Sequence, residues 1–262
     1  MVRSYRLWVM GALLALCVSA YAWGYDSQTA TTEQVMQFRV GAELSKKWNN
    51  GLRLGFTEDV RIDAYNSLNG AAFSKAYTTL SLGYTPIEYF KVDAGYTLRV
   101  MGRKDWSDAN EVLRHRVFMG VAGVYPSQYV KLTLRERVLC DMRTDSVNLL
   151  EKNQYNWLLR SRLGAEFIIP GKPVKPYCWV ELENTLNVPE YQQKGGKQYI
   201  SHVRTQVGVK WRLTKLSSLD FYYRFQYGYN RDINITKAKG YIQLTEETTY
   251  LHAIGVTYDL NW

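Results

Sequence analysis

The feature that most constrains the fold is a two-residue alternation of apolar and polar side chains along most of the chain. Residues 221–229, FYYRFQYGY, place an aromatic ring at every second position, with Arg224 and Gln226 among the residues between them. Residues 90–100 show the same period. Side chains of a β-strand point to opposite faces in turn, so this period indicates strands with one apolar and one polar face. The sequence therefore predicts an all-β protein.

Eleven such strands are predicted, and their connections alternate in length. Tight turns are expected at Pro86, Pro126-Ser127, 170–173 and 214–218, and longer polar loops include 188–198 and 231–247. Turns at one end and loops at the other are typical of outer-membrane barrels. The strands are expected at 35–46, 51–64, 75–85, 88–102, 112–125, 128–142, 155–169, 174–187, 199–213, 217–230 and 248–261.

An odd strand count conflicts with the even number usual in bacterial single-chain barrels, so the prediction is an antiparallel transmembrane barrel of about ten to twelve strands. Either 25–46 leaves the wall, with 24–32 crossing the lumen, or a further strand lies within 231–247. The competing interpretation is a soluble β-sandwich or lipocalin-like barrel. That fold would have to bury the many large apolar residues inside a narrow barrel, whose interior only just holds ordinary side chains.

The N-terminus indicates export. Arg3 and Arg6 precede an apolar run from Leu7 to Val18, and Ala20-Tyr21-Ala22 offers a cleavage site. These features predict a signal peptide at 1–22 and one barrel domain at 23–262. The formal net charge of +9 could suggest nucleic acid, but export argues against that partner. The two cysteines of the mature chain, Cys140 and Cys178, are expected to face lipid without forming a disulfide.

Aromatic residues support placement in the outer membrane. Rings near the tight turns are expected to form an interfacial girdle. The last strand alternates outward and ends on Trp262, which resembles the signal read by the barrel-assembly machinery. The expected partners are therefore outer-membrane lipid, lipopolysaccharide and that machinery, around a monomer with no cofactor or metal. The predicted girdle comprises Tyr84, Tyr89, Tyr125, Tyr129, Tyr177 and Trp211.

Three strands repeat a pair of arginines two residues apart within an apolar frame: LRHRV at 113–117, LRERV at 134–138 and LRSRL at 159–163. A lipid-facing arginine costs about 2–4 kcal/mol at the membrane midplane, so these arginines are predicted to face the lumen. Two glutamates on the following strand are predicted to flank them. The resulting lumenal binding surface comprises Arg99, Arg114, Arg116, Arg135, Arg137, Arg160, Arg162, Arg204, Glu181 and Glu183.

The expected neighbours within this arginine ladder follow from the turns. Folding at Pro126 is expected to set Arg116 beside Arg135 or Arg137. Folding near Gly171 is expected to set Arg162 near Glu181. By the same reasoning Arg160 should lie near Glu183, Glu181 near Arg204, and Glu183 near His202. Like charges facing each other across strands are destabilising, so carboxylates, water or a bound anion must relieve them.

Several functions fit a basic lumen. The arginines and glutamates could only brace the wall, or they could form a narrow channel or binding site for anionic solutes. A third interpretation is a lipid- or lipopolysaccharide-modifying enzyme, with His202 as the inward-facing histidine, Glu183 as its orienting group and Ser201 pointing away. A fourth is a surface scaffold that acts through its extracellular loops. The sequence favours the non-enzymatic interpretations, since it contains no motif for a nucleophile, a metal or a phosphate loop.

The chain also resembles a known family. The stretch KKWNNGLRLGFTEDVRI, the repeated R-x-R strands, PYCWVELEN and the aromatic last strand are similar to small outer-membrane barrels common in Bacteroidota. That family is catalogued only as a domain of unknown function. The resemblance implies an outer-membrane location and no assigned activity, and it adds no catalytic residues.

Overall fold

Eleven strands form one closed barrel. The computed structural model describes residues 27–66, 72–102, 113–144, 152–189, 192, 199–236 and 241–262, so the predicted signal peptide lies outside the described residues. Within these ranges no helix is long and apolar enough to cross a bilayer. The strands are β1 Ser27–Lys47, β2 Leu52–Asn66, β3 Ala72–Ile87, β4 Phe90–Met101, β5 Leu113–Pro126, β6 Val130–Arg143, β7 Tyr155–Phe167, β8 Val174–Thr185, β9 Tyr199–Arg212, β10 Ser217–Thr236 and β11 Tyr241–Asn261.

The predicted all-β barrel and its eleven strands are confirmed, but the loop predicted at 231–247 is wrong. β10 continues to Thr236 and β11 begins at Tyr241, and the two pair without a register shift over this stretch. β1 also starts earlier than predicted, at Ser27. At these ends of β1, β10 and β11, the apolar alternation stops although the backbone pairing continues. Backbone hydrogen bonds continue the ladder where the side chains no longer indicate it.

The barrel closes through a parallel pair of strands. Sequential neighbours from β1 to β11 are antiparallel, whereas β1 and β11 run parallel, with Ser27 opposite Gln243 and Ser45 opposite Asn261. An odd number of up-and-down strands brings the first and last into the same direction, so parallel closure follows from the count. The expectation of antiparallel pairing throughout is therefore wrong at this seam. The described residues of 25–46 lie in the wall, and no extra strand is needed.

The outer face of the barrel is apolar and exposed. Met119, Leu163 and Val207 are each more than half exposed, as are many outward residues of the other strands. Their neighbours in sequence, such as Arg162 and Gln206, point into the lumen. The apolar face thus points outward, as predicted, which is the reverse of a soluble barrel with an apolar core.

Five of the six predicted girdle aromatics lie on the outer surface near the tight turns, but Tyr177 does not. Tyr84, Tyr89 and Tyr125 are all exposed, as are Tyr129 and Trp211. Tyr177 is buried in the lumen, where its hydroxyl donates to Asp220 Oδ2 over 2.9 Å and accepts from Gln206 Nε2 over 2.5 Å. Cys178, the next residue along β8, takes the outward position instead.

The two cysteines are not joined. Cys178 is exposed on β8 and Cys140 is buried on β6, and both are free thiols. As expected, they form no disulfide, and Cys140 takes an outward position, since Leu139 and Asp141 on either side of it line the lumen. Cys140 is nevertheless buried, which the expectation of a lipid-facing residue did not include. Neighbouring side chains cover this small residue although its strand is at the barrel surface.

Lumenal glycines make room for aromatic rings on the neighbouring strand. Gly95 faces Phe118, Gly208 faces Tyr177 and Gly255 faces Tyr222 in direct register. A Cβ atom on Gly95 would lie 2.5 Å from the Phe118 ring, and one on Gly208 would lie 2.7 Å from the Tyr177 ring. Each ring can therefore lie close against the wall, which keeps the centre of the lumen for charged groups.

Candidate functional site in the lumen

The lumen holds a large, charged cavity. It has a volume of about 1010 Å³, and its lining includes twelve lysine and arginine side chains against seven carboxylates. A second cavity of about 300 Å³ lies nearer the tight turns. Arg135, Arg162 and Arg224 line both cavities. These three arginines therefore define the level at which the two cavities meet.

All ten predicted ladder residues line the main cavity, in agreement with the predicted lumenal face. They come from consecutive strands between β4 and β9, and successive strands place them side by side on one wall. This wall is called the ladder wall below. Its members are Arg99, Arg114, Arg116, Arg135, Arg137, Arg160, Arg162, Arg204, Glu181 and Glu183.

Glu181 is the carboxylate at the centre of the ladder wall. It lies opposite Arg162 on β7 and Arg204 on β9, as predicted. Its oxygens lie 2.6 Å from Arg162 Nη2, 2.9 Å from Arg204 Nη1 and 3.4 Å from Arg135 Nη2. Only 2% of the residue is exposed. One buried carboxylate thus receives charged hydrogen bonds from three strands, which is the arrangement that a buried charge requires.

Glu183 makes a second junction, two residues further along β8. It lies opposite Arg160 and His202, as predicted, and forms an ion pair with Arg160. Arg204 Nη1 lies 3.1 Å from its Oε2, and His202 Nδ1 lies 2.8 Å from its Oε1. Arg204 therefore bridges Glu181 and Glu183, so the two glutamates and their arginines form one connected network.

The cross-strand partner predicted for Arg116 is wrong by four residues from Arg137, or by six from Arg135. The hairpin turns so that Pro126 pairs with Lys131, which sets Arg116 opposite Asp141 and not beside Arg135 or Arg137. Asp141 receives two hydrogen bonds from Arg116 and one from Arg99 at 2.5 Å. The sequence analysis missed this carboxylate. Continuing the β6 alternation from Arg137 would have placed Asp141 on the lumenal face.

Arginines still face one another across the ladder wall. Arg135 lies opposite Arg162, and Arg137 lies opposite Arg160. Carboxylates on the flanking strands relieve this repulsion, since Arg137 forms an ion pair with Asp93 on β4. Aromatic faces add to the relief, because the Arg137 guanidinium lies 4.3 Å from the Phe118 ring centroid.

A second group of arginines, the seam cluster, lies across β10, β11, β1 and β2. It comprises Arg39, Arg61 and Arg224, none of which was among the predicted site residues. Arg39 lies opposite Arg61 on β2 and beside Gly255 on β11. Gly255 in turn faces Tyr222, which lies two residues from Arg224. None of these arginines has a second arginine two residues away in its strand, so the paired-arginine pattern could not reveal them.

The partners of the seam arginines differ from those of the ladder wall. Arg39 Nε donates to Gln37 Oε1 at 2.6 Å, and Arg224 Nε donates to Gln206 Oε1 at 2.8 Å. In the described part of the chain neither guanidinium has a carboxylate within ion-pair distance. Arg61 does, since its Nη2 lies 2.5 Å from Asp59 Oδ2. Two of the three guanidinium charges are thus held by neutral amides.

Comparison with known proteins identifies the family but assigns no activity. Residues 27–236 match the sequence profile described as a protein of unknown function, DUF2490. The chain belongs to the DUF2490 family. No curated protein matches the sequence. A solved structure described as the NanC porin in a rhombohedral crystal form is similar at 10% identity and a TM-score of 0.44, over 72% of this chain and 84% of that one.

The DUF2490 match covers β1 to β10 and therefore both arginine clusters. It also covers His202, the residue on which an enzymatic interpretation would depend. Ser201 does not point away as predicted, because a register shift at Glu183 brings its side chain to the cavity, 3.2 Å from His202 Nδ1. Glu183 contacts the same nitrogen. A relay needs the nucleophile and the orienting carboxylate on different ring nitrogens, so this DUF2490 protein does not show a triad geometry.

Within the described ranges of this DUF2490 barrel, no three histidine, cysteine or acidic side chains are grouped so as to hold a metal ion. The chemistry that the lumen offers is instead that of guanidinium donors. They are fixed in direction by carboxylates on one wall and by amides at the seam. Such donors suit oxyanions, since a guanidinium presents paired N–H groups to paired oxygens.

Proposed function

We propose that this protein is an outer-membrane channel that admits small anionic solutes. The observation that carries the proposal is the excess of positive charge in the lumen, where twelve lysines and arginines line the main cavity against seven carboxylates. Basic pore linings favour anions, because they lower the energy of an anion in the pore and raise that of a cation.

The outer surface supports the membrane location. A band of exposed apolar side chains surrounds a polar lumen, with aromatic rings near the tight turns. Leaving such a surface in water is unfavourable, and a lipid bilayer removes it from water. The proposal includes export through the N-terminal signal peptide, insertion by the barrel-assembly machinery and a monomer in contact with lipid and lipopolysaccharide. It excludes nucleic acid as a partner.

The ladder wall gives the channel its path. Cationic side chains continue from Arg114 and Arg143 at the loop end, through Arg135 and Arg162, to Lys131 near the tight turns. An anion moving along this wall would pass from one guanidinium to the next. Several weak sites in series allow a solute both to enter and to leave.

The proposal is tested by recording purified protein in a planar lipid bilayer under a potassium chloride gradient. The expected result is a small conductance whose reversal potential shows a preference for chloride. The double variant Arg135→Gln, Arg137→Gln should reduce that preference, because it removes two lumenal charges. Lys215→Gln, in the exposed turn between β9 and β10, is the control for a charge change outside the lumen.

A barrel that inserts but carries no current would overturn the proposal and leave the arginine network with only a bracing role. A current selective for cations would also overturn it. The bracing role has support of its own, since most ladder arginines contact a carboxylate. A conductance measurement distinguishes the channel from the bracing role, because a network that only braces the wall predicts a sealed lumen.

A further inference from the structure

We propose that the seam cluster is a binding site for a tetrahedral oxyanion of the phosphate class, held between Arg39 and Arg224. The inference rests on the proposed function only for the route by which the solute reaches the site. Binding itself does not require that the lumen conducts. The argument uses the burial of Arg39, the position of Arg224 and the charge around Tyr222.

Arg39 is a buried cation that pairs with no carboxylate in the described ranges of the chain. The residue is only 2% exposed. Its Nε donates to Gln37, while Nη1 is buried and contacts no hydrogen-bond acceptor in the described part of the chain. Gln37 cannot offset the charge, and its own Nε2 donates to Asp63 Oδ1 at 2.7 Å. A charge removed from water is costly unless an opposite charge accompanies it.

Arg224 lies on β10, on the other side of β11 from Arg39, and it is the accessible member of the pair. It lines both cavities at the level where they meet, whereas Arg39 lines neither. Its guanidinium carbon lies 5.1 Å from the Trp179 ring centroid and 5.3 Å from the Tyr222 ring centroid. Its Nε is occupied by Gln206. Among the described residues, no carboxylate lies within ion-pair distance of its two terminal nitrogens, while the neighbouring rings and the amide fix the direction of the group.

Tyr222 links the positions of Arg224 and Arg39, since it lies beside the Arg224 guanidinium and on the strand next to β11. Its ring and hydroxyl lie over Gly255, the residue of β11 that stands in register with Arg39. Both Arg39 and Arg224 are close enough to Tyr222 to interact with it electrostatically. The hydroxyl thus adds a neutral donor beside two cations, which is the composition expected around an oxyanion.

The local charge favours an anion over a second protein carboxylate. Arg61 adds a third guanidinium beside Arg39, and Asp59 is the carboxylate that pairs with it. Three guanidinium groups thus stand against Asp59 and against Asp63, which contacts the cluster through Gln37. About one positive charge remains in excess, and the guanidinium groups lie on both sides of the parallel seam.

The geometry selects the class of anion. A carboxylate presents one pair of oxygens in one plane and can satisfy one guanidinium fork. A phosphate group presents oxygens in several directions and carries up to two negative charges, so it can accept from guanidinium groups on both sides at once. The seam cluster therefore fits a phosphate or a phosphate monoester better than a carboxylic acid.

The test is isothermal titration calorimetry of the full-length barrel in detergent micelles, with inorganic phosphate, glycerol phosphate and acetate as separate ligands. Phosphate and glycerol phosphate should bind, and acetate should bind at least about tenfold more weakly, since it loses one set of charged hydrogen bonds. If only inorganic phosphate binds, the site takes the free ion. If glycerol phosphate binds equally, it takes phosphate monoesters.

Two variants assign the site. Arg224→Gln should weaken phosphate binding roughly tenfold to a hundredfold, because charged hydrogen bonds are lost. Arg135→Gln removes the same charge from the ladder wall and should change binding by less than about threefold, as expected for a charge whose field is partly screened in a wet lumen. Circular dichroism with the gel mobility shift on heating shows that each variant is folded.

Loss of binding in Arg135→Gln with Arg224→Gln unchanged would overturn the proposal and place the anion on the ladder wall. Equal binding of acetate and phosphate would overturn the selection of a tetrahedral oxyanion. A barrel that binds phosphate in micelles but carries no current in a bilayer would contradict the proposed channel and leave this site standing. A chloride-selective current without phosphate binding would support the proposed channel and overturn this binding site.

Discussion

The ladder wall and the seam cluster solve the same problem, buried arginine, in different ways. On the ladder wall Glu181 and Glu183 receive hydrogen bonds from arginines of three strands, and Asp141 and Asp93 serve the arginines on β4 to β6. At the seam, Arg39 and Arg224 bond to glutamine amides. A carboxylate offsets part of the charge that it holds, whereas an amide fixes the guanidinium and leaves its full charge available. The first arrangement suits stability and the second suits binding.

The largest expected effect comes from removing a carboxylate of the ladder wall. Glu183→Gln removes the carboxylate that pairs with Arg160 and leaves Arg204 with Glu181 alone, in a site where Glu183 is 3% exposed. Breaking a buried ion pair by removing one partner costs about 3–5 kcal/mol. The free energy of unfolding should fall by that amount in a urea titration of the protein folded into lipid vesicles.

The control for this variant is Glu43→Gln, which removes a carboxylate of the exposed Arg53–Glu43 pair near a tight turn. Exposed pairs contribute about 0–1 kcal/mol, so its unfolding curve should stay close to that of the unmodified protein. If Glu183→Gln proved as stable as this control, the glutamates would not hold the ladder wall, and the contrast between the two clusters would be lost.

A smaller loss of stability is expected from a feature that both clusters have, an aromatic ring packed against a glycine on the neighbouring strand. Gly95→Ala would place a methyl group 2.5 Å from Phe118, the ring on which Arg137 stacks. Overpacking of this kind costs about 1–3 kcal/mol. Gly255→Ala meets the Tyr222 ring in the same way at the seam. Both variants should lower the free energy of unfolding in the same urea titration.

Gly123→Ala is the matched control, because a Cβ there meets no other atom within 4 Å. The double variant Gly95→Ala, Phe118→Leu should recover part of the loss, since the smaller side chain makes room for the methyl group. Equal stability of Gly95→Ala and Gly123→Ala would show that the close approach of ring and glycine has no energetic weight.

The alternation predicted the strands and their faces because each pair of inward arginines lies within a frame of outward apolar residues, as in LRERV at 134–138. It also predicted the pairs Arg162–Glu181 and Arg160–Glu183, since the turn near Gly171 fixes that hairpin. It failed for Arg116, where the turn after Pro126 is longer than the proline suggested and shifts the pairing to Asp141. A register error of this kind keeps every side chain on its face and changes only its neighbour, so the period cannot detect it.

The seam cluster could be predicted from local pattern only in part. Arg39 and Arg61 face each other across the sequential pair β1–β2, whereas Arg224 comes near Arg39 only because the barrel closes in parallel between β1 and β11. The usual even count favoured a different closure, in which Arg39 has no defined neighbour on β11. The family-level resemblance was correct, yet it carries no site residues. The seam cluster therefore depends on the three-dimensional closure rather than on any motif.

The smallest expected effect is a change in the free energy of unfolding whose sign differs between the two clusters. Arg224→Gln removes a charge that is repelled by Arg39 and Arg61 and paired with no carboxylate in the described residues. In low salt without phosphate, the free energy of unfolding should stay the same or rise by up to about 1 kcal/mol, the size of a like-charge contact across strands. Lys215→Gln, in a distant turn, should leave the value unchanged. A clear loss of stability in Arg224→Gln would mean that its charge is already compensated, and the seam would then be a second bracing network.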